Sequence, residues 1–177
     1  PIGNVQLDAR AASGHADVDL AADRFGLRST ASIELTPTYP AMVKARIDNL
    51  NLQQLPIELQ TPLTGRVSAT ATSSLELTQP KLARIDALID AFQGSWNQQP
   101  FALQDPAAIR LADEEITIDR LAVTAQDSTL TIAGTLPMNV RRGEGALNVD
   151  AHANLATLAR YAPSDAGITA SGSLRLA

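Results

Sequence analysis

Aromatic side chains are the scarcest filling material in this sequence: three Phe, two Tyr and one Trp, 3% of 177 residues. Apolar residues still reach 45%, so any core must be built from Leu, Ile, Val and Ala. Alanine offers little area to bury, and without aromatic anchors an isolated compact globule is thinly filled, which favours an extended β-structure. Cysteine is absent, which excludes a disulfide framework and a thiolate site and is compatible with cytosol or with an oxidising compartment. Positive charge is in deficit, with 14 Lys and Arg against 19 Asp and Glu, a net charge of −5 and a pI near 4.9. The basic residues are scattered, so a nucleic-acid partner is excluded for want of a phosphate-binding patch. No apolar run approaches the length of a membrane span, and the chain opens at Pro1 without a charged-then-apolar leader. The expectation is a segment excised from a longer protein.

Catalytic constellations are also missing. His15 and His152 are the only histidines. Asp150 and His152 share a strand face at i,i+2 and would suit a metal or an acid–base pair, but a solvated surface pair is the simpler reading. Asp113-Glu114-Glu115 lacks the spread of oxygens and the internal glycine of a calcium loop, and reads as an acidic turn. Gly143 and Gly145 form a lone G-x-G between strands, the wrong context for a phosphate cradle. There is no nucleophile elbow, Walker loop or glycosylation sequon. The expectation is a protein that is not an enzyme, with no metal and no cofactor.

Alternation is what the sequence does contain. From Ile116 to Leu136, Ile116 and Ile118, then Leu121, Val123 and Ala125, then Leu130 and Ile132 recur at period two, with Thr117, Asp119, Thr124, Thr129 and Thr131 between them. Each half reads as a strand with one wet and one dry face, turning at Gln126-Asp127-Ser128. The parity shift between Ile118 and Leu121 requires one extra residue at Asp119-Arg120, either a break between strands or, as we prefer, a β-bulge at which the sheet bends. Similar alternation runs through Val5 and Leu7, Val18 and Leu20, Leu27 to Leu35, Val43 to Ile47, Val67 to Leu77, Phe101 and Leu103, Ile109 and Leu111, Met138 and Val140, Leu147 to Ala153, and Leu174 and Leu176. Prolines 37, 40, 56 and 62 fall at strand ends, as their missing N–H requires. One segment changes period. Leu82, Ile85, Leu88, Ile89 and Phe92 share a helical face, with Pro80 suited to a first turn, Thr78 or Gln79 as cap and Gly94 as terminator. This spacing predicts an amphipathic helix near 80–93, inserted between two β-portions and capping or flanking the sheet.

A short pattern recurs about a hundred residues apart, with Asn51-Leu52-Gln53-Gln54-Leu55 before Gly65 to Ala69 and Asn154-Leu155-Ala156-Thr157-Leu158 before Gly167 to Ser171. It suggests stacked β-units cut off at Ala177. The apolar face has two readings: the closed core of a sandwich or barrel, or an incompletely filled trough open to an apolar ligand. For the trough, the lining residues are Val67, Ala69, Ile116, Ile118, Leu121, Val123, Leu130, Ile132, Leu147 and Val149. At roughly 0.8 kcal/mol per buried methylene, a long acyl chain gains on the order of 10 kcal/mol before ordering entropy is charged against it.

Gly94-Ser95-Trp96-Asn97-Gln98-Gln99-Pro100-Phe101, Pro106 to Leu111, and Ile116 to Pro137 with its Leu130-Thr131-Ile132-Ala133-Gly134-Thr135-Leu136 ending resemble the TamB family of translocation and assembly module proteins, within the wider AsmA-like group. Asn154-Leu155 and Gly167 to Leu176 also look like theirs. The resemblance covers about the last eighty residues well and the first seventy only in style. It implies a mainly β fold, a curled stack of antiparallel or mixed strands forming an open trough (a β-taco or half-barrel) with an apolar interior. It further implies the periplasmic region of an inner-membrane-anchored protein of a diderm bacterium, conducting or shielding phospholipid acyl chains between the two membranes. An outer-membrane β-barrel of the Omp85 class is then the expected partner of the parent protein. The other reading is a structural β-scaffold that binds a protein by strand addition, without lipid transport. A dozen stacked strands would span roughly 55 Å.

Overall fold

The protein was analysed as a computed structural model, which describes residues 4–54, 63–96, 99–138, 145–154 and 173–176. Twelve strands form one sheet: β1 (Val5–Ala12), β2 (His15–Ala22), β3 (Leu27–Glu34), β4 (Pro40–Asn51), β5 (Leu63–Glu76), β6 (Arg84–Trp96), β7 (Gln99–Leu103), β8 (Ala107–Ala112), β9 (Glu115–Ala125), β10 (Ser128–Pro137), β11 (Ala146–Asn154) and β12 (Ser173–Leu176). Every pairing is antiparallel. Each strand lies beside its predecessor, except that β7 and β8 share one row between β6 and β9. The sheet therefore has eleven rows, with β1 and β12 at its two ends, and a width of roughly 50 Å.

The local chemistry accounts for this meander. Tight turns carry the positive φ angles that right-twisted hairpins need, at Ser13 (53°) and Gly14 (80°) and again at Asp113 (53°) and Glu114 (61°). Threonine, serine and β-branched residues fill the strands, and most of the polar members alternate to one face, with Ser29 and Ser73 on the apolar one.

The segment expected to be helical is a strand. Only Pro80–Leu82 forms a helical turn, of 3-10 type, with Gln79 before it and Pro80 in its first turn; from Arg84 the chain is β6, paired to β5 on one side and to β7 and β8 on the other. There are thus no two β-portions separated by a helix. The reason is one inserted residue. Ser68 pairs with Ala91 and Ala69 with Ile89, so Asp90 is extra, and the spacing Ile85, Ala87, Ile89, Phe92 results from period two plus a bulge. Two steps of two followed by a step of three imitate the i, i+4, i+7 of a helix face. Gly94, expected to end the helix, lies within β6 opposite Gly65, where a Cβ would run into the Thr64 carbonyl and the Phe101 ring.

The bulge expected at Asp119-Arg120 is present. Ile132 pairs with Leu121 and Gly134 with Ile118, so two residues of β9 oppose Ala133 alone. It does not stand by itself. In β4, Asp48 and Asn49 together oppose Ser68, and the Asn49 N–H donates to Ser68 Oγ at 3.0 Å. Asp90 is the extra residue on the far side of Ser68. The break between β7 and β8 faces Asp90 to Phe92 on one side and the Asp119-Arg120 bulge on the other. These irregularities form one line across the strands, from Gly26, whose carbonyl accepts the Asp48 N–H at 3.0 Å, to Gly134. Bulges increase local twist and bend the strand that carries them, so this line is a crease.

Candidate apolar binding face

Cross-strand partners share a face, so the registers sort every side chain. Val67, on the apolar face, pairs with Leu50 and Phe92; Ala69 pairs with Ile47 and Ile89; Ile89 pairs with Ala107. The face passes through β8, where Ile109 and Leu111 meet Ile118 and Ile116 of β9. It continues to β10, where Leu121 and Val123 meet Ile132 and Leu130, and to β11, where Ile132 meets Val149 and Gly134 meets Leu147. All the residues selected from the sequence, Val67, Ala69, Ile116, Ile118, Leu121, Val123, Leu130, Ile132, Leu147 and Val149, thus lie on one face of one sheet. The bulge at Asp119-Arg120 is what keeps Ile118 and Leu121 on the same side.

Sequence reasoning missed much of this face. Ile85, Ile89 and Phe92 were assigned to a helix, and Leu20, Leu27, Ile47 and Leu50 belong to the N-terminal half of the same surface. Phe92 and Phe101 meet edge to face there, with ring centroids 5.1 Å apart.

No second layer covers this face among the described residues. The buried apolar residues are Ala22, Ala41, Leu50, Ala107 and Ala122, and no large side chain is fully buried. Among the described residues the path of pairing is open, with β1 and β12 at opposite ends and no pairing that closes a barrel. Val5 and Leu7 on β1 are 51% and 67% exposed, Trp96 on β6 48%, and Leu147 and Val149 on β11 40% and 45%. The sequence repeat can be followed only in part. The first copy is the end of β4 and the 3-10 turn Leu52–Gln54, whereas residues 155–172 lie outside the described residues, as do 139–144 with Gly143 of the G-x-G.

The opposite face is polar and salt-bridged. Arg46 Nε donates to both carboxylate oxygens of Asp48, at 2.8 and 2.9 Å. This hydrogen bond holds the Asp48 carboxyl below its usual range and raises the Arg46 guanidinium. Asp86 likewise accepts from Arg110 Nε at 2.9 Å and raises that guanidinium. A depression of about 450 Å³ on this face is lined by charges of both signs, Asp8, Arg10, Asp17, Asp19 and Lys44 among them. His15 has Ser32 Oγ at 2.6 Å and Asp17 Oδ1 at 3.7 Å. The same nitrogen, Nε2, faces both, whereas a nucleophilic triad needs the serine and the carboxylate on different ring nitrogens. His152 and Asp150 are on β11, at the other end of the sheet from His15 on β2. No cluster of three metal-ligating side chains occurs among the described residues, and none of their helices is long and apolar enough to cross a membrane.

Comparison with family models, curated proteins and solved structures finds no match to this chain.

Proposed function

We propose that this chain is a segment of a periplasmic bridge that shields or conducts phospholipid acyl chains between the inner and outer membranes, with its apolar face curled into an open trough. One observation carries the reading: an apolar face continuous across the sheet that no second layer covers among the described residues. The crease gives such a sheet a line along which to curl. A row of small residues, Ser29, Ala45, Ala71 and Ala87, runs in register across β3 to β6. Larger side chains flank it, Leu27, Ile47 and Ile89 on one side and Val43 and Ile85 on the other. An acyl chain lying across the strands fits such a floor. The resemblance to the TamB family supports the periplasmic setting and, through a parent protein, the Omp85-class barrel partner.

Native mass spectrometry of the purified chain tests the proposal. Co-purified phospholipid, or uptake from phospholipid vesicles, is the expected outcome. A chain that stays lipid-free in both settings overturns it and favours the β-scaffold without lipid transport.

A further inference from the structure

We propose that the polar face carries a binding site for a linear aliphatic diamine or polyamine, held between Glu34 and Glu76 over Pro40 and Met42. The site lies on the face opposite the trough and does not depend on what the trough binds.

The registers assemble it from residues far apart in the chain. Met42 pairs with Ser32 of β3 and Ser74 of β5, all on the polar face. Two residues earlier on β4, Pro40 pairs with Glu76, and Glu34 lies on its other side, because the neighbouring pair is Ile33 with Ala41. A methionine flanked by two serines thus adjoins a proline flanked by two glutamates. The chain between β5 and β6 supplies a wall. Its 3-10 turn Pro80–Leu82 brings Gln79 and Leu82 to the rim, and the turn between β3 and β4 braces it: the Leu77 N–H donates to the Tyr39 carbonyl at 3.2 Å and Thr78 Oγ1 to the Thr38 carbonyl at 3.3 Å. The result is a depression of about 780 Å³, within the size range of small-molecule sites. Both turns and the strand ends around it are described throughout. Met42 and Leu82 break the polar character of this face, and both are exposed.

The charges choose the ligand. Elsewhere on this face carboxylates are spent on arginines, Asp48 on Arg46 and Asp86 on Arg110. Glu34 and Glu76 make no ion pair among the described residues. Two strand spacings separate them, roughly 10 Å. No group of three metal-ligating side chains forms among the described residues, so a divalent ion lacks its oxygens. An anion meets two negative charges, and a purely apolar molecule takes water from them without replacing it. An ammonium at each end, with methylenes between, satisfies both carboxylates and lays its chain on Pro40 and Met42. Arg84, in register with Ser74, also lines the depression and competes for Glu76. His15, in register with Glu34, has its Nε2 on Ser32 Oγ and near Asp17.

Methyl-labelled methionine NMR of the 177-residue chain, titrated with spermidine at low salt, tests the site. The chain has two methionines, whose signals are assigned through Met138→Leu. Met42 reports the site, and Met138, whose N–H donates to the Glu114 carbonyl in the acidic turn, reports attraction to carboxylates in general. The expected result is a saturable shift of the Met42 methyl that weakens as salt rises, with Met138 unmoved. Glu34→Gln and Glu76→Gln each raise the dissociation constant about threefold or more, Arg84→Gln lowers it, and the shorter putrescine binds more weakly than spermidine. All three side chains are exposed, so these variants keep the β-sheet circular dichroism of the parent. Absence of saturation at Met42 by about 10 mM, equal shifts at both methionines, or a dissociation constant indifferent to both glutamine variants overturns the proposal. So does acetyl-lysine amide binding as tightly as spermidine, which would assign the depression to a lysine side chain of a protein partner.

Discussion

Two residues show how the crease is held. Asp48 sits in the β4 bulge, its N–H bound to Gly26 and its carboxylate forked by Arg46. Because Asp48 is depressed in the folded state, its contribution to stability is complete above its ordinary value of 3.8 and is lost as the pH falls through the lower folded value. The pair is exposed and its effect is small. Asp48→Asn should therefore lower the urea midpoint slightly at pH 7, and the difference from the parent should close as the pH falls through the lowered folded value of Asp48 and its carboxylate is protonated. Gly134, at the other end of the crease, has φ of +134° and meets the Ala146 carbonyl where a Cβ would be. Gly134→Ala should cost about 2 kcal/mol or more in a urea titration, as strained backbone positions do. Little in the sequence distinguished Gly134 from any glycine in an apolar-x-Gly-x-Leu strand ending, because its strain comes from the partner strand.

Among elements, β6 teaches the most. Its apolar residues fit a helix face because a bulge shifts parity after Ile89, and nothing local separates that pattern from true helical period. A comparison along the chain does. Ile47-Asp48-Asn49-Leu50, Ile89-Asp90-Ala91-Phe92 and Ile118-Asp119-Arg120-Leu121 share the pattern Ile-Asp-x-apolar, and all three are bulges in the structure. The third was legible because its flanking strands alternate cleanly, and its Ile-Asp-x-apolar pattern is the signal by which the other two, missed in the sequence, could have been found. Ile85-Asp86-Ala87-Leu88 has the same pattern in regular strand, so the motif permits a bulge and the neighbouring strands decide. Deleting Asp90 removes the extra residue and turns Phe92 and Gly94 to the polar face if the upstream register holds. The expected loss is about 2–3 kcal/mol, the burial of one Phe-sized side chain. Asp90→Asn, which keeps the residue, should stay within about 0.5 kcal/mol in the same denaturant titration.

At the scale of the whole molecule, surface area separates an open sheet from a closed core. A compact protein of this mass exposes about 8,300 Å², whereas this chain exposes 12227 Å². The composition had pointed that way: a sequence poor in Phe, Tyr and Trp lacks the volume to fill the space between two packed sheets. Strand order was legible too, since short turns force neighbours in sequence to be neighbours in the sheet. The two readings of the apolar face predict different fates for an inserted charge. In a sandwich interior, Ile118→Arg or Ile132→Arg buries an unpaired guanidinium and unfolds the chain. On an open face the guanidinium stays in water, and the sheet persists while the path for an acyl chain is interrupted. The expected outcome is therefore unchanged β-sheet circular dichroism with loss of crosslinking to a photoreactive fatty acid. Thr117→Arg, which points to the polar face beside Ile118, should leave the crosslinking intact. Unfolding in both isoleucine variants would return the face to a closed core, and retained crosslinking in both would separate the open face from acyl-chain binding.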